Sequence, residues 1–110
     1  MQTRKEKGQE LELIILDYLK VIDNYARLSR ASGASLDIGD VVSKYFFIEA
    51  KNWNKRNIIV DQDIWEHLIN QIPISSNKIP LLIQKNNEGK TFVSLDIKDF
   101  FSIIYKAYKE

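Results

Sequence analysis

The chain has 110 residues, 45% hydrophobic and 28% charged, and its sixteen Lys and Arg against fifteen Asp and Glu give a net charge of +1. This composition is typical of one globular domain and excludes a histone-like polycation or an acidic disordered tail. With no cysteine and one histidine, the chain lacks the ligands of a disulfide framework, a cysteine-based zinc site or an iron–sulfur cluster. We therefore expect a single domain over residues 1–110, in which any metal ion is held by oxygen ligands.

The first ten residues are charged, and no apolar run approaches the roughly 20 residues that span a bilayer. The sequence therefore predicts no signal peptide, no membrane helix and no membrane partner. An intracellular, cytoplasmic protein is the simplest expectation.

The first half of the chain predicts one helix and three strands. Apolar residues recur every three or four positions over Gln9–Asp23, the spacing of an amphipathic helix. Alternation over Asn24–Arg30 favours a short strand. The β-branched and aromatic residues of Asp40–Val42 and Tyr45–Ala50 predict a hairpin with a two-residue turn at Ser43-Lys44.

The second half predicts two helices separated by a second hairpin. Asp61 and Asp96 are each suited to cap a helix N-terminus, which predicts helices reaching about Gln71 and Tyr108. The strands between them are Pro80–Gln84 and Thr91–Leu95. The order helix, three strands, helix, two strands, helix indicates an α/β domain with a mixed β-sheet flanked by helices.

The first predicted hairpin brings charged side chains together. A two-residue turn places Asp40 opposite Phe47 and diagonal to Glu49, with Lys51 on the same face. Two neighbouring carboxylates repel each other unless a cation relieves them, and Mg²⁺ prefers carboxylate and water oxygens. Acids and lysines also alternate on ordinary solvated strands, so this alternative stays open. Glu12 lies on the inward half of the first helix, where it either interacts with the helix dipole or adds a third acid.

Five segments, taken in order, resemble the PD-(D/E)XK nuclease superfamily, and within it the Holliday junction resolvases of the archaeal and phage-associated kind. The similarity runs from about Arg4 to Leu95 and implies a restriction-endonuclease-like fold. The segments are Lys7-Gly8 with Glu12 four residues later, Arg30–Ala34, Gly39–Val41, Ile48–Lys51 and Lys78–Leu82.

The resemblance implies a role for each matching residue. Glu12 corresponds to the helix glutamate of the family, and Asp40 and Glu49 to its metal-binding acids. Lys51 corresponds to the catalytic lysine, and the Ala50 carbonyl would complete the metal shell.

Two further positions match the loop before the first metal-binding acid. Ser32 resembles the serine near the scissile phosphate, and Arg30 the basic residue just before it. Asp37 stays an alternative to Asp40, and Glu10 an alternative to Glu12 as the helix acid or metal ligand.

The implied activity is Mg²⁺-dependent hydrolysis of DNA phosphodiesters, with Mn²⁺ substituting, by a homodimer that nicks opposed strands of a four-way junction. The alternatives are a superfamily nuclease acting on other DNA in repair or restriction, a non-catalytic DNA-binding protein of this fold, and a plain α/β domain with coincidental acids. The candidate phosphate contacts are Arg4, Lys5, Lys7, Arg27, Arg30, Lys55 and Arg56.

Several other side chains are assigned from pattern alone. Trp65 is expected in the core because of its helical spacing from Leu68, while Trp53 is open between packing and base stacking. His67 is expected on the surface without companion ligands. The aromatic residues of the last helix are open between core and interface; these are Phe100, Phe101 and Tyr105.

Overall fold

The computed structural model describes residues 4–29 and 40–109, and within them it has three helices and five strands in the predicted order. The chain is an α/β fold with a mixed sheet flanked by helices. The elements are α1 Arg4–Leu19, β1 Arg27–Leu28, β2 Val41–Val42, β3 Phe46–Asn52, α2 Gln62–Asn70, β4 Ile79–Lys85, β5 Thr91–Ser94 and α3 Ile97–Lys109.

The five strands form one sheet in the spatial order β1-β2-β3-β4-β5. Neighbouring strands are antiparallel except β3 and β4, which run parallel. A parallel pair requires a crossover connection, and α2 supplies it. This crossover places α2 over the strand that carries Glu49 and Lys51.

The sheet has an apolar core on each face. On one face, Leu11 and Ile15 of α1 pack with Val41 and Ile48 of the hairpin. On the other face, a smaller core joins Phe47 to Leu68 of α2 and Leu82 of β4. Successive strand residues point to opposite faces, so the neighbours Phe47 and Ile48 serve different cores. Trp65 is half-buried against the smaller core, as predicted.

The predicted bounds of the first helix were wrong at both ends, since α1 begins five residues before Gln9 and ends four before Asp23. The charged first turns carry no apolar repeat, so periodicity misses them. At the other end, the Asp23 carboxylate is buried and accepts the N–H of Tyr25 (2.9 Å) and the hydroxyl of Ser43 (2.9 Å). These bonds turn the chain out of the helix. The following strand, predicted over seven residues, has only two.

The predicted two-residue turn of the first hairpin was also wrong. Val42 pairs with Phe47 and Val41 with Ile48, so four residues connect the paired positions. Ser43 is buried, and its Oγ accepts the N–H groups of Tyr45 (3.1 Å) and Phe46 (3.2 Å). This serine therefore organises a wider turn. The register moves by two residues, which leaves every side chain on its predicted face.

Two helices begin at their predicted caps. The Asp61 carboxylate accepts the N–H of Asp63 (2.8 Å) and of Ile64 (3.4 Å). The Asp96 carboxylate accepts the N–H of Lys98 (2.8 Å) at the start of α3. Across the described ranges, no helix is long and apolar enough to cross a membrane.

Candidate functional site

Asp40 directly precedes the first residue of β2, beside the longer strand β3. Its N–H donates to the Ile48 carbonyl (2.9 Å), and its Oδ2 accepts the Ala50 N–H (2.7 Å). Because β2 pairs no further along β3 than Ile48, the Asp40 carboxylate takes the place of a main-chain acceptor. Continuing the register by one residue puts Asp40 opposite Glu49, nearer than the predicted diagonal position.

The same edge of β3 presents the Ala50 carbonyl. The N–H and C=O of a strand residue point to the same neighbouring strand, and the Ala50 N–H already contacts Asp40. The carbonyl therefore faces the side where Asp40 lies. Its part in a metal shell stays a prediction.

Glu49 and Lys51 project from the face of β3 that α2 covers. Lys51 Nζ is 3.4 Å from Glu49 Oε1, and Gln71 Nε2 donates to Glu49 Oε2 (3.3 Å). The Glu49 side chain is only 12% exposed and that of Lys51 39%. Phe47 on this face is buried, so the face is partly covered, and the Lys51–Glu49 contact is the ion pair that the alternative interpretation also expects.

Glu12 approaches Asp40 from the opposite layer, on α1. It is half-buried. Loss of hydration raises the pKa of Glu12, and the negative charge of Asp40 raises it further. Asp40 therefore interacts with two acids, Glu12 on the α1 side of the sheet and Glu49 on the α2 side.

The carboxylate of Asp40 is itself poorly compensated. Burial is the largest effect and raises the pKa of Asp40 above its ordinary value, and the negative charge of Glu49 raises it further. The hydrogen bond from the Ala50 N–H and the positive charge of Lys51 lower this pKa, but they do not cancel the rise. An acid whose ionised form is disfavoured in this way gains from a nearby cation. The electrostatics therefore favour a positive ligand at this edge.

The donor set fits a hard divalent cation. Mg²⁺ commonly uses one or two carboxylates and keeps several waters, and Asp40 and Glu49 supply such a pair. Among residues 4–29 and 40–109, no three His, Cys, Asp or Glu side chains form a group that could hold an ion. Glu12 therefore does not complete a three-acid cage with them in this geometry.

His67 of α2 and Gln71, directly after that helix, also border the site, which the sequence did not suggest. A pocket of about 130 Å³ is lined by Asp40, Ile48, Glu49, His67 and Gln71. His67 is exposed, as predicted, and it shares this pocket with Asp40 and Glu49. His67 and Gln71 are four residues apart, the spacing of neighbours on one helix face, and Gln71 caps the C-terminus of α2. The sequence shows this spacing, but it does not show that α2 lies against β3, the strand that carries Glu49.

A second cleft, of about 760 Å³, extends from Lys51 to Gly8 on α1. Trp53 lines it, and its indole N–H donates to buried Gln84 Oε1 (2.8 Å). Lys55 Nζ is 4.3 Å from the centre of the Trp53 ring, within cation–π range. The Trp53 ring is thus held by Gln84 through its indole N–H, and Lys55 lies over its face. The cleft combines a cation, amides and an aromatic ring next to the catalytic lysine candidate.

The rival acid Glu10 has a different partner. Its Oε1 is 2.9 Å from Lys85 Nζ, an ion pair between α1 and β4. Because Glu12 interacts electrostatically with Asp40, the geometry favours Glu12 over Glu10 as the helix acid.

The predicted DNA contacts are only partly described. Arg56 forms an ion pair with Glu88 (2.8 Å), with both side chains largely in solvent. Lys55 borders the cleft, and Arg27 is exposed at the start of β1. Outside the described residues lie Arg30, Ser32 and Asp37, together with the side chains of Arg4, Lys5 and Lys7.

Comparison of the chain with known protein families, with curated proteins and with solved structures found no match. The function is therefore inferred from the residues and their geometry. The firmest observation is the juxtaposition of Asp40, Glu49 and Lys51 at one end of the hairpin.

Proposed function

We propose that this chain is a metal-dependent endodeoxyribonuclease of the PD-(D/E)XK type, with a restriction-endonuclease-like fold, that cleaves four-way DNA junctions as a Holliday junction resolvase. One observation carries the proposal: the Asp40 carboxylate on the Ala50 N–H lies beside the Glu49–Lys51 ion pair. The helix and strand order supports it, because it brings α1 and α2 to the same strand end.

Each residue has a chemical task in this proposal. Asp40 and Glu49 would hold Mg²⁺, or Mn²⁺ in its place, with the Ala50 carbonyl beside them. When bound, the ion supplies Lewis-acid polarisation of the phosphate and a nucleophilic water. Lys51, held 3.4 Å from Glu49, stabilises the negative charge that develops on a phosphate oxygen. Glu12 orients water from the α1 side.

The DNA backbone would follow the cleft between Lys51 and Gly8. Lys55 and the amides of Asn52 and Asn54 line it, and such groups contact phosphate without reading sequence. Hydrolysis forms a bond from water oxygen to phosphorus while the bond to the leaving sugar oxygen breaks. Because a four-way junction requires two opposed nicks, the proposal includes a homodimer with two such sites.

The test is cleavage of an end-labelled four-way junction beside a linear duplex of the same sequence, with and without Mg²⁺. The variants are Glu49→Gln and, as a matched control, Glu10→Gln, whose carboxylate pairs with Lys85 instead. We expect paired symmetric nicks in the junction only, retained in Glu10→Gln and reduced by about 100-fold or more in Glu49→Gln.

Other outcomes separate the alternatives. Equal cutting of both substrates would keep the nuclease and assign it to other DNA, as in repair or restriction. Binding of the junction without Mg²⁺-dependent cutting would indicate a non-catalytic DNA-binding protein. No cutting and no binding would reject the proposal.

A further inference from the structure

The last helix, α3, has a largely exposed apolar stripe that packs into neither core. None of its residues is buried, and none belongs to either core. Phe101 and Tyr105 are 58% and 62% exposed. A lone amphipathic helix of this length, 13 residues, is marginal in water, so its apolar face needs a partner. The α3 stripe consists of Ile97, Phe100, Phe101, Ile104, Tyr105 and Tyr108.

A groove of matching character lies on the α1 side of the sheet, with a volume of about 650 Å³. Its first wall is formed by Ile14 and Tyr18 of α1 and by Ile22, just beyond that helix. Ile83 forms part of its floor and Val93 of β5 its second wall. Tyr18 is 78% exposed and Val93 55%. We call this the apolar groove.

The α3 stripe does not fill the apolar groove of its own chain. The first turn of α3, at Ile97 and Phe100, borders a different cleft together with Gln62 and Trp65 of α2. The helix therefore starts beside α2, whereas the groove is walled by α1. Val93 lines both cavities, but among residues 4–29 and 40–109 no residue of α3 lines the apolar groove. Both surfaces expose large apolar side chains.

We infer that the α3 stripe of one copy packs into the apolar groove of a second copy, and the reverse, in a two-fold symmetric dimer. Five side chains of the stripe are 43% to 80% exposed and contribute about 500 Å² per helix. With an equal area of groove surface and both symmetric contacts, the buried area reaches about 2,000 Å², within the range of a stable interface. A two-fold axis uses both surfaces of both copies.

This inference rests on the proposed function, which includes a homodimer, and assigns the surface through which the two copies associate. The surface itself is inferred only from the packing of apolar side chains. Its test therefore reads mass and proximity, without DNA or metal. Failure of the dimer leaves the nuclease test unchanged, and failure of cleavage leaves the mass unchanged.

The first experiment measures the mass of the full chain in solution by light scattering. The variants Phe101→Glu and Tyr18→Glu place one charge on each surface, and Ile74→Glu, at a fully exposed position outside both surfaces, is the control. We expect twice 12.9 kDa for the wild type and the control, and 12.9 kDa for the other two. A monomeric wild type, or a dimer that survives Tyr18→Glu, would overturn the inference.

The second experiment uses the absence of cysteine from the chain. Chains carrying Tyr18→Cys are mixed with chains carrying Tyr105→Cys and treated with a short bismaleimide. We expect a covalent heterodimer, formed at least tenfold more than when Ile74→Cys replaces Tyr18→Cys. Equal yields from the two mixtures, or contact only between two Tyr105→Cys chains, would show that α3 does not enter the groove.

Discussion

The β2–β3 hairpin has a carboxylate at each end, and their surroundings differ in one decisive respect. Asp23, at the turn, is buried and fully supplied with donors. Burial alone would raise the pKa of Asp23, but the hydrogen bonds and the Lys44 charge outweigh it and lower that pKa. Its donors are the Lys44 N–H (2.7 Å), the Ser43 hydroxyl (2.9 Å) and the Tyr25 N–H (2.9 Å).

Asp40, at the open end, accepts the Ala50 N–H and also faces a second carboxylate. Burial and Glu49 raise the pKa of Asp40 against the opposing effects of Ala50 and Lys51. The turn of the hairpin therefore contacts a structural acid, Asp23, whose charge the fold stabilises, while the open end has an acid, Asp40, whose charge the fold leaves undercompensated. A strained charge of the second kind is typical of functional sites.

The largest effect is expected at Lys51, on the undercompensated end. Lys51→Met removes the cation that Glu49 holds and should lower junction cleavage by about 100- to 1,000-fold in single-turnover assays. Lys55→Met is the matched control, because that lysine lies in the same cleft but on the Trp53 ring. It should weaken DNA binding in a salt-dependent manner. Equal loss of the cleavage step in both variants would contradict the role given to Lys51.

The next effect concerns Asp23 and the stability of the fold. Asp23→Ala leaves the Ser43 and Lys44 donors without an acceptor and should lower the free energy of unfolding by about 3 kcal/mol, measured by urea denaturation. Asp17→Ala, at an exposed position of α1, should change it by less than about 0.5 kcal/mol. Since the folded-state pKa of Asp23 is lowered, its contribution is present above the unfolded pKa near 3.9 and is lost as the pH falls through the folded value. A pH-independent difference would argue against an ionised Asp23.

Much of this fold was readable from the sequence, and the limits have physical causes. The caps at Asp61 and Asp96 depend on local hydrogen bonds, and local patterns predicted them. Asp40 and Glu49 were predicted on the same face of the sheet although the predicted turn was wrong, because the observed register differs from the predicted one by two residues. The contact of Gln71 with Glu49 was not readable, since it depends on the parallel β3–β4 pairing that brings α2 across.

A smaller effect of opposite sign is expected at Asp40. Because its folded-state pKa is raised, the stabilising contribution of the protonated acid is present below the unfolded pKa and is lost as the pH rises through the folded value. Asp40→Asn should therefore raise the free energy of unfolding at neutral pH without metal, while Asp23→Asn lowers it. Denaturation of both variants from pH 4 to 8 measures whether the two changes in the free energy of unfolding have these opposite signs. Destabilisation by Asp40→Asn at neutral pH would place Asp40 with the structural acids.

The smallest effect is expected at Gly8, on the wall of the cleft. A Cβ added there meets no atom within 4 Å, so Gly8→Ala should stabilise α1 by about 0.5 to 1 kcal/mol. If DNA backbone approaches this wall, the same change should weaken junction binding by several-fold. Thermal denaturation and a binding titration measure the two effects. Stabilisation with unchanged binding would move the DNA path away from Gly8.

The most direct test of the central claim, that Asp40 and Glu49 form a divalent-cation site, is paramagnetic broadening of backbone amide NMR signals by Mn²⁺. We predict selective broadening at Ala50 and Lys51 in the wild type and in Glu10→Gln, reversed by excess Mg²⁺ and absent in Asp40→Asn. Broadening that persists in Asp40→Asn, or that avoids the end of β3, would contradict the account.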